Sequence, residues 1–149
     1  MFTREALYAA VNNVRKEPAP PLEIQVFGQY DFEHPDSEES IWFLRGSRDD
    51  YRDAVHFWLK ALQHVLETSI PHRTFGRASL YDENTLCKKI SYKDFLKILT
   101  RNTGLKTAHD FHLNGRFQQA WLMSDEGLDL SALAQTDREF VAFFWDSTA

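Results

Sequence analysis

The stretch from Arg48 to Thr68 constrains this chain more than any other. Tyr51, Ala54, Val55, Trp58, Leu59, Leu62, Val65 and Leu66 recur at helical spacing on one broad face. Arg52, His56, Lys60, Gln63 and Glu67 make the opposite, solvated face. A helix of this kind must bury its apolar stripe against another element. Ser47 with Asp49 and Asp50 suits its start, and Ile70-Pro71 stops it.

Strands stand just upstream. Leu22, Ile24 and Val26 alternate with Glu23 and Gln25, the period-2 pattern of a half-buried strand. Gly28 marks a bulge, and Tyr30 and Phe32 continue the apolar face. Asp31 to Ser40 reads as an acidic loop broken by Pro35. Ile41-Trp42-Phe43-Leu44 then pairs back on the first strand. A helix over Thr3–Arg15 precedes both. Thr3 caps it, Leu7, Ala10, Val11 and Val14 line its inner face, and Glu17-Pro18-Ala19-Pro20-Pro21 ends it.

Downstream, Phe75–Tyr81 reads as a strand. Ser91 caps a helix to Thr100, with Tyr92, Phe95, Leu96 and Leu99 inward and Gly104 closing it. Leu105–Ser124 and the chain end fit helix and strand equally. Thr136 and Glu139 have capping-box spacing, and Leu133, Val141, Phe144 and Trp145 can share a helical face. Phe140–Trp145 is just as good a fully buried strand, and periodicity does not separate the two. Helices and strands without regular alternation predict an α+β fold. The expectation is one globular domain over residues 1–149, a small, mostly antiparallel sheet with three to four helices on one face.

Composition narrows the function classes. With 149 residues, 43% hydrophobic and 14% aromatic, the chain can build its own core. The lone cysteine, Cys87, forms no internal disulfide and fits a reducing compartment. The N-terminal residues carry Arg4 and Glu5 and no apolar signal segment, and no run approaches a membrane span. A cytoplasmic protein is expected, with no membrane partner. Asp and Glu number 22 against 17 Lys and Arg, which argues against nucleic acid and is compatible with a basic protein partner.

No nucleophile elbow, dinucleotide fingerprint or phosphate loop occurs. Asp31, Glu33, Asp36, Glu38 and Glu39 crowd one loop with His34 among them. They lack the spacing of a calcium loop; a solvated hairpin or a patch facing a basic partner suits them better. His109-Asp110-Phe111-His112 offers two metal-type ligands and needs a third, such as His34 or His72, from folding. Lys88 and Lys89 beside Cys87 would lower its pKa, yet no base is placed by any motif. Phe143-Phe144-Trp145 near the chain end is a candidate interface if part of it is exposed.

The expected function is therefore stoichiometric protein binding, without cofactor, metal or catalytic residues. Its concrete form is an inhibitor or immunity-type protein that neutralises a basic partner such as a nuclease toxin. Asp31, Glu33, Asp36, Glu38 and Glu39 would steer and pair, and Trp42 at the loop's exit would anchor. The alternatives are an enzyme assembled around His109, Asp110 and His112, and a homodimeric adaptor or chaperone.

Overall fold

The computed structural model describes residues 1–69, 84–100, 104–107 and 109–147. Helix α1 spans Arg4–Lys16; Thr3 caps it by accepting from Ala6 N–H at 3.1 Å. Strand β1 (Glu23–Phe27) pairs antiparallel with β2 (Glu39–Ser47). Helix α2 covers Ala54–Ser69, β3 covers Lys88–Ile90 and α3 covers Tyr92–Leu99. Three strands close the chain, β4 (Phe117–Asp125), β5 (Asp129–Thr136) and β6 (Glu139–Ser147). All pair antiparallel in the order β1-β2-β6-β5-β4-β3.

This architecture corrects the expected small, mostly antiparallel sheet with helices on one face. Among the described residues the sheet has six strands, every pairing is antiparallel, and both faces are covered. On one face α1 and α2 pack Leu7, Val11, Val14, Phe57, Trp58 and Leu59 over Leu44, Leu133 and Ala142. On the other, α3 and two loops pack Phe95, Leu99, Phe32 and Phe111 over Phe43, Ala132 and Phe143. The chain carries more large apolar side chains than one face can bury, so a second cover forms.

The two-sided cover also explains the ambiguous C-terminal run. A strand buried on both faces loses its period-2 alternation and reads as continuously apolar. Phe140, Val141, Ala142 and Phe143 are all at most 1% exposed. Small residues make room for large ones across the β5–β6 ladder: Ala132 on β5 faces Phe143, and Ala142 on β6 faces Leu133. The capping-box spacing of Thr136 and Glu139 serves a hairpin instead of a helix. Thr136 Oγ1 accepts from the N–H groups of Arg138 and Glu139, at 3.1 and 3.0 Å, in the β5–β6 turn.

Other boundaries shift for local reasons. α2 starts at Ala54, because Asp53 caps it by accepting from His56 N–H at 2.9 Å. Ser47 instead accepts from Asp49 N–H at 3.2 Å in the preceding turn. Gly46 lies where an added Cβ would come 2.5 Å from the Tyr51 ring, so glycine lets that ring lie on the strand. Gly28 leads into the turn Gln29–Asp31 and forms no bulge. α3 ends at Leu99 with Thr100 as its cap, and the Gly104 carbonyl accepts from Glu33 N–H at 2.8 Å. The expected strand Phe75–Tyr81 and the candidate ligand His72 lie outside the described residues. Among the described residues, no helix is long and apolar enough to cross a membrane.

Candidate functional site

Antiparallel pairing gathers carboxylates from separate segments at one end of the sheet. The start of β2, the end of β6, the start of β5 and the end of β4 share one end. Glu38 and Glu39, Asp146, Asp129, and Asp125 with Glu126 therefore gather there. The loop after β1, with Asp31, Glu33 and Asp36, lies at the same end, since Phe27 pairs with Ile41. The opposite end is mixed: Arg45, Arg48, Arg116 and Arg138 lie there with Glu23, Asp49, Asp50, Asp137 and Glu139.

The five acidic loop residues divide by what they touch. Asp31 Oδ2 accepts from Gly28 N–H at 2.9 Å and shapes the first turn. Glu39 is half-buried; its oxygens accept from Trp145 Nε1 at 2.8 Å and from Ser37 Oγ at 2.7 Å. Glu33, Asp36 and Glu38 are exposed, Glu38 in a left-handed conformation with φ +49°. Tyr30 stands among them at 74% exposure, an aromatic contact group beside carboxylates.

Trp42 does not join that loop. The loop packs through Phe32 on the α3 side of the sheet, whereas Trp42 belongs to the α2 side. There it lines a cleft of about 330 Å³ between the second half of α2 and the acidic end of the sheet. Trp58, Leu62 and Leu66 form the helix wall, and Trp42 and Phe144 the sheet wall. Asp146 accepts from Ser40 Oγ, and Asp129 Oδ1 accepts from Ser124 Oγ at 3.0 Å. These two carboxylates were missed in the sequence. Asp125-Glu126-Gly127-Leu128-Asp129 carries a hairpin signal, a glycine among acids at φ +81°, that would have placed Asp129 at a sheet end.

The other constellations offer less chemistry. His109 packs against the rings of Phe27 and Phe111, at 5.4 and 4.7 Å between centroids. The His112 and Asp110 side chains are 60% and 94% exposed, 4.0 Å apart. Among the described residues no three His, Cys, Asp or Glu side chains converge on a metal position. Cys87 lines a hollow of about 480 Å³ with Phe2, Val55, Lys89 and Trp121. Burial pushes its thiol up to about 11, which corrects the lowering expected from Lys88 and Lys89: desolvation of the thiolate dominates, and the cation that opposes it is Arg4. Of the C-terminal aromatics only Phe144 is half-buried, and it lines the cleft. Phe143 is 0% and Trp145 8% exposed, and Phe144 stacks on Trp58 at 5.1 Å.

A buried basic cluster joins α1 to α2 and corrects the expected solvated face of α2: His56 and Lys60 are buried where the end of α1 packs on them. His56 is 5% exposed and its Nδ1 accepts from Arg52 N–H at 3.1 Å, so Nε2 carries the proton. Nε2 lies 3.6 Å from a Glu17 oxygen. Lys60 donates to the Glu17 carbonyl and to Gln63 at 3.3 Å. Burial, aided by Arg52, holds the His56 pKa below its ordinary value, although Glu17 and Asp53 oppose it. The unfolded chain therefore takes up this proton first as pH falls. Stability should drop as pH is lowered from about 6.5 through the folded-state pKa. Chemical denaturation between pH 7.5 and 5 should show this slope, and His56→Gln should flatten it. An unchanged slope in the variant would assign the drop to other groups.

The chain matches no family model, and no curated protein or solved structure resembles it.

Proposed function

We propose that the protein is a stoichiometric binding module for a basic protein, of the inhibitor or immunity type, acting in the cytoplasm. The observation that carries this reading is the convergence of carboxylates from the β1–β2 loop, the β4–β5 hairpin and the end of β6 on one end of the sheet. Such a patch raises encounter rates with a cationic partner and disfavours anionic ones. The lone thiol is compatible with a reducing compartment. A basic nuclease toxin is the concrete partner type. Asp31, Glu33, Asp36, Glu38 and Glu39 supply the field and part of the contact. Trp42 remains an anchor candidate, reached from the α2 side of the sheet.

The test compares wild type with the charge-reversed variant Glu33→Lys/Asp36→Lys/Glu38→Lys, whose side chains are all exposed. The tagged proteins are used to capture partners from the native cell, identified by mass spectrometry. One basic partner at equal stoichiometry is expected with wild type. Association with that purified partner should slow at least about tenfold in the variant at low salt, with the gap closing at high salt. Equal association of both proteins at all salt concentrations would refute the reading.

A further inference from the structure

We propose that the cleft between α2 and the sheet receives one arginine side chain of the basic partner, its guanidinium against the Trp42 indole and paired with Asp146. This rests on the acidic end being the docking surface. At about 330 Å³ the cleft sits at the low end of small-ligand pockets, roughly 300–1,000 Å³, which suits one side chain and not a helix. Its walls are apolar and aromatic, able to take the methylene stem of a long cationic side chain.

The mouth has the opposite character. The register sets Asp129 directly across from Asp146 on neighbouring strands. Two carboxylates lining the mouth favour a cation there over an anion. Serine hydroxyls orient both groups, Ser40 at Asp146 and Ser124 at Asp129. Guanidinium fits this combination better than ammonium. It is planar, stacks on an indole face, and presents a fork of N–H donors to carboxylates.

The probe is an eight-residue peptide of alternating Arg and Gly, compared with its citrulline and lysine counterparts at pH 7.5. Binding is followed by titration and by the indole N–H resonance of Trp42. The arginine peptide should bind at least tenfold tighter than the citrulline peptide, and tighter than the lysine one. It should move the Trp42 resonance. Asp146→Asn, at an exposed position that does not threaten folding, should weaken it at least fivefold.

A still Trp42 resonance, or full affinity in Asp146→Asn, would overturn the cleft assignment. If the acidic-loop reversal still weakened that same peptide, the docking surface would stand without the cleft. Equal binding of arginine and citrulline peptides by every variant would remove both readings. A Trp42 shift that followed protein concentration alone would make the occupant a second copy, and would overturn the arginine assignment.

Discussion

Glu139→Ala should destabilise the protein by about 3–5 kcal/mol, the range for breaking a buried ion pair from one side. Glu139 pairs with Arg45 at 2.5 Å, and their side chains are 9% and 10% exposed. The same carboxylate accepts from Asn114 N–H at 2.7 Å, and Arg45 also donates to the His112 carbonyl. Truncation leaves a buried guanidinium uncompensated and a backbone donor without its acceptor. The loop 112–116 is held to the β5–β6 turn by this pair, by Thr136 Oγ1 donating to the Asn114 carbonyl at 2.6 Å, and by Asp137. Urea denaturation measures the loss. The double variant Arg45→Met/Glu139→Leu should recover much of it, because removing both charges removes the desolvation penalty with the attraction. A single-variant loss under about 1 kcal/mol would show the pair to be solvated, since exposed pairs contribute that little.

Phe143→Ala is the second large effect, about 3–5 kcal/mol for a buried phenylalanine. Phe143 is 0% exposed at the centre of β6, between Phe43 and Ala132 on the flanking strands. Its ring meets Phe111 edge-on at 5.9 Å and Phe43 at 6.5 Å. The cavity would open between strands held by their ladders, so collapse around it is limited. At about 2–4 °C per kcal/mol for a chain of this size, the melting temperature should fall by roughly 10 °C. Phe143→Leu, which keeps much of the volume, should cost far less. Equal costs for the two variants would mean that the site repacks freely around the missing ring.

Local signals were legible where one physical demand acted alone. Thr3 as the cap of α1 and Ser91 as the cap of α3 are read from a few neighbouring residues, because caps are local solutions; β1 was legible as a strand, although Val26 on its expected inner face is 47% exposed. The acidic loop was legible as a crowd of charge. Its division into shaping residues, Asp31 and Glu39, and outward ones, Glu33 and Asp36, was not, since that depends on Gly28, Ser37 and Trp145. Trp42 was assigned beside the loop by chain proximity. Strand alternation sends it to the face opposite Phe32, ten residues earlier.

What the sequence by itself determined is the apolar stripes of α1 and α2, the acidic balance and the strand that opens the sheet, all consequences of side-chain polarity at fixed spacing; that His56 and Lys60 on the polar side of α2 are buried was decided by packing against the end of α1. The tertiary structure alone decided that β6 is a strand, that both sheet faces are buried, and that Asp129 and Asp146 lie side by side. Strand pairing in β5 and β6 is nonlocal: a fully apolar run suits any buried conformation, and only the neighbours at Phe43 and Ala132 select the extended one. The same pairing brings carboxylates from distant segments together, so the acidic end exists only once the ladder has formed.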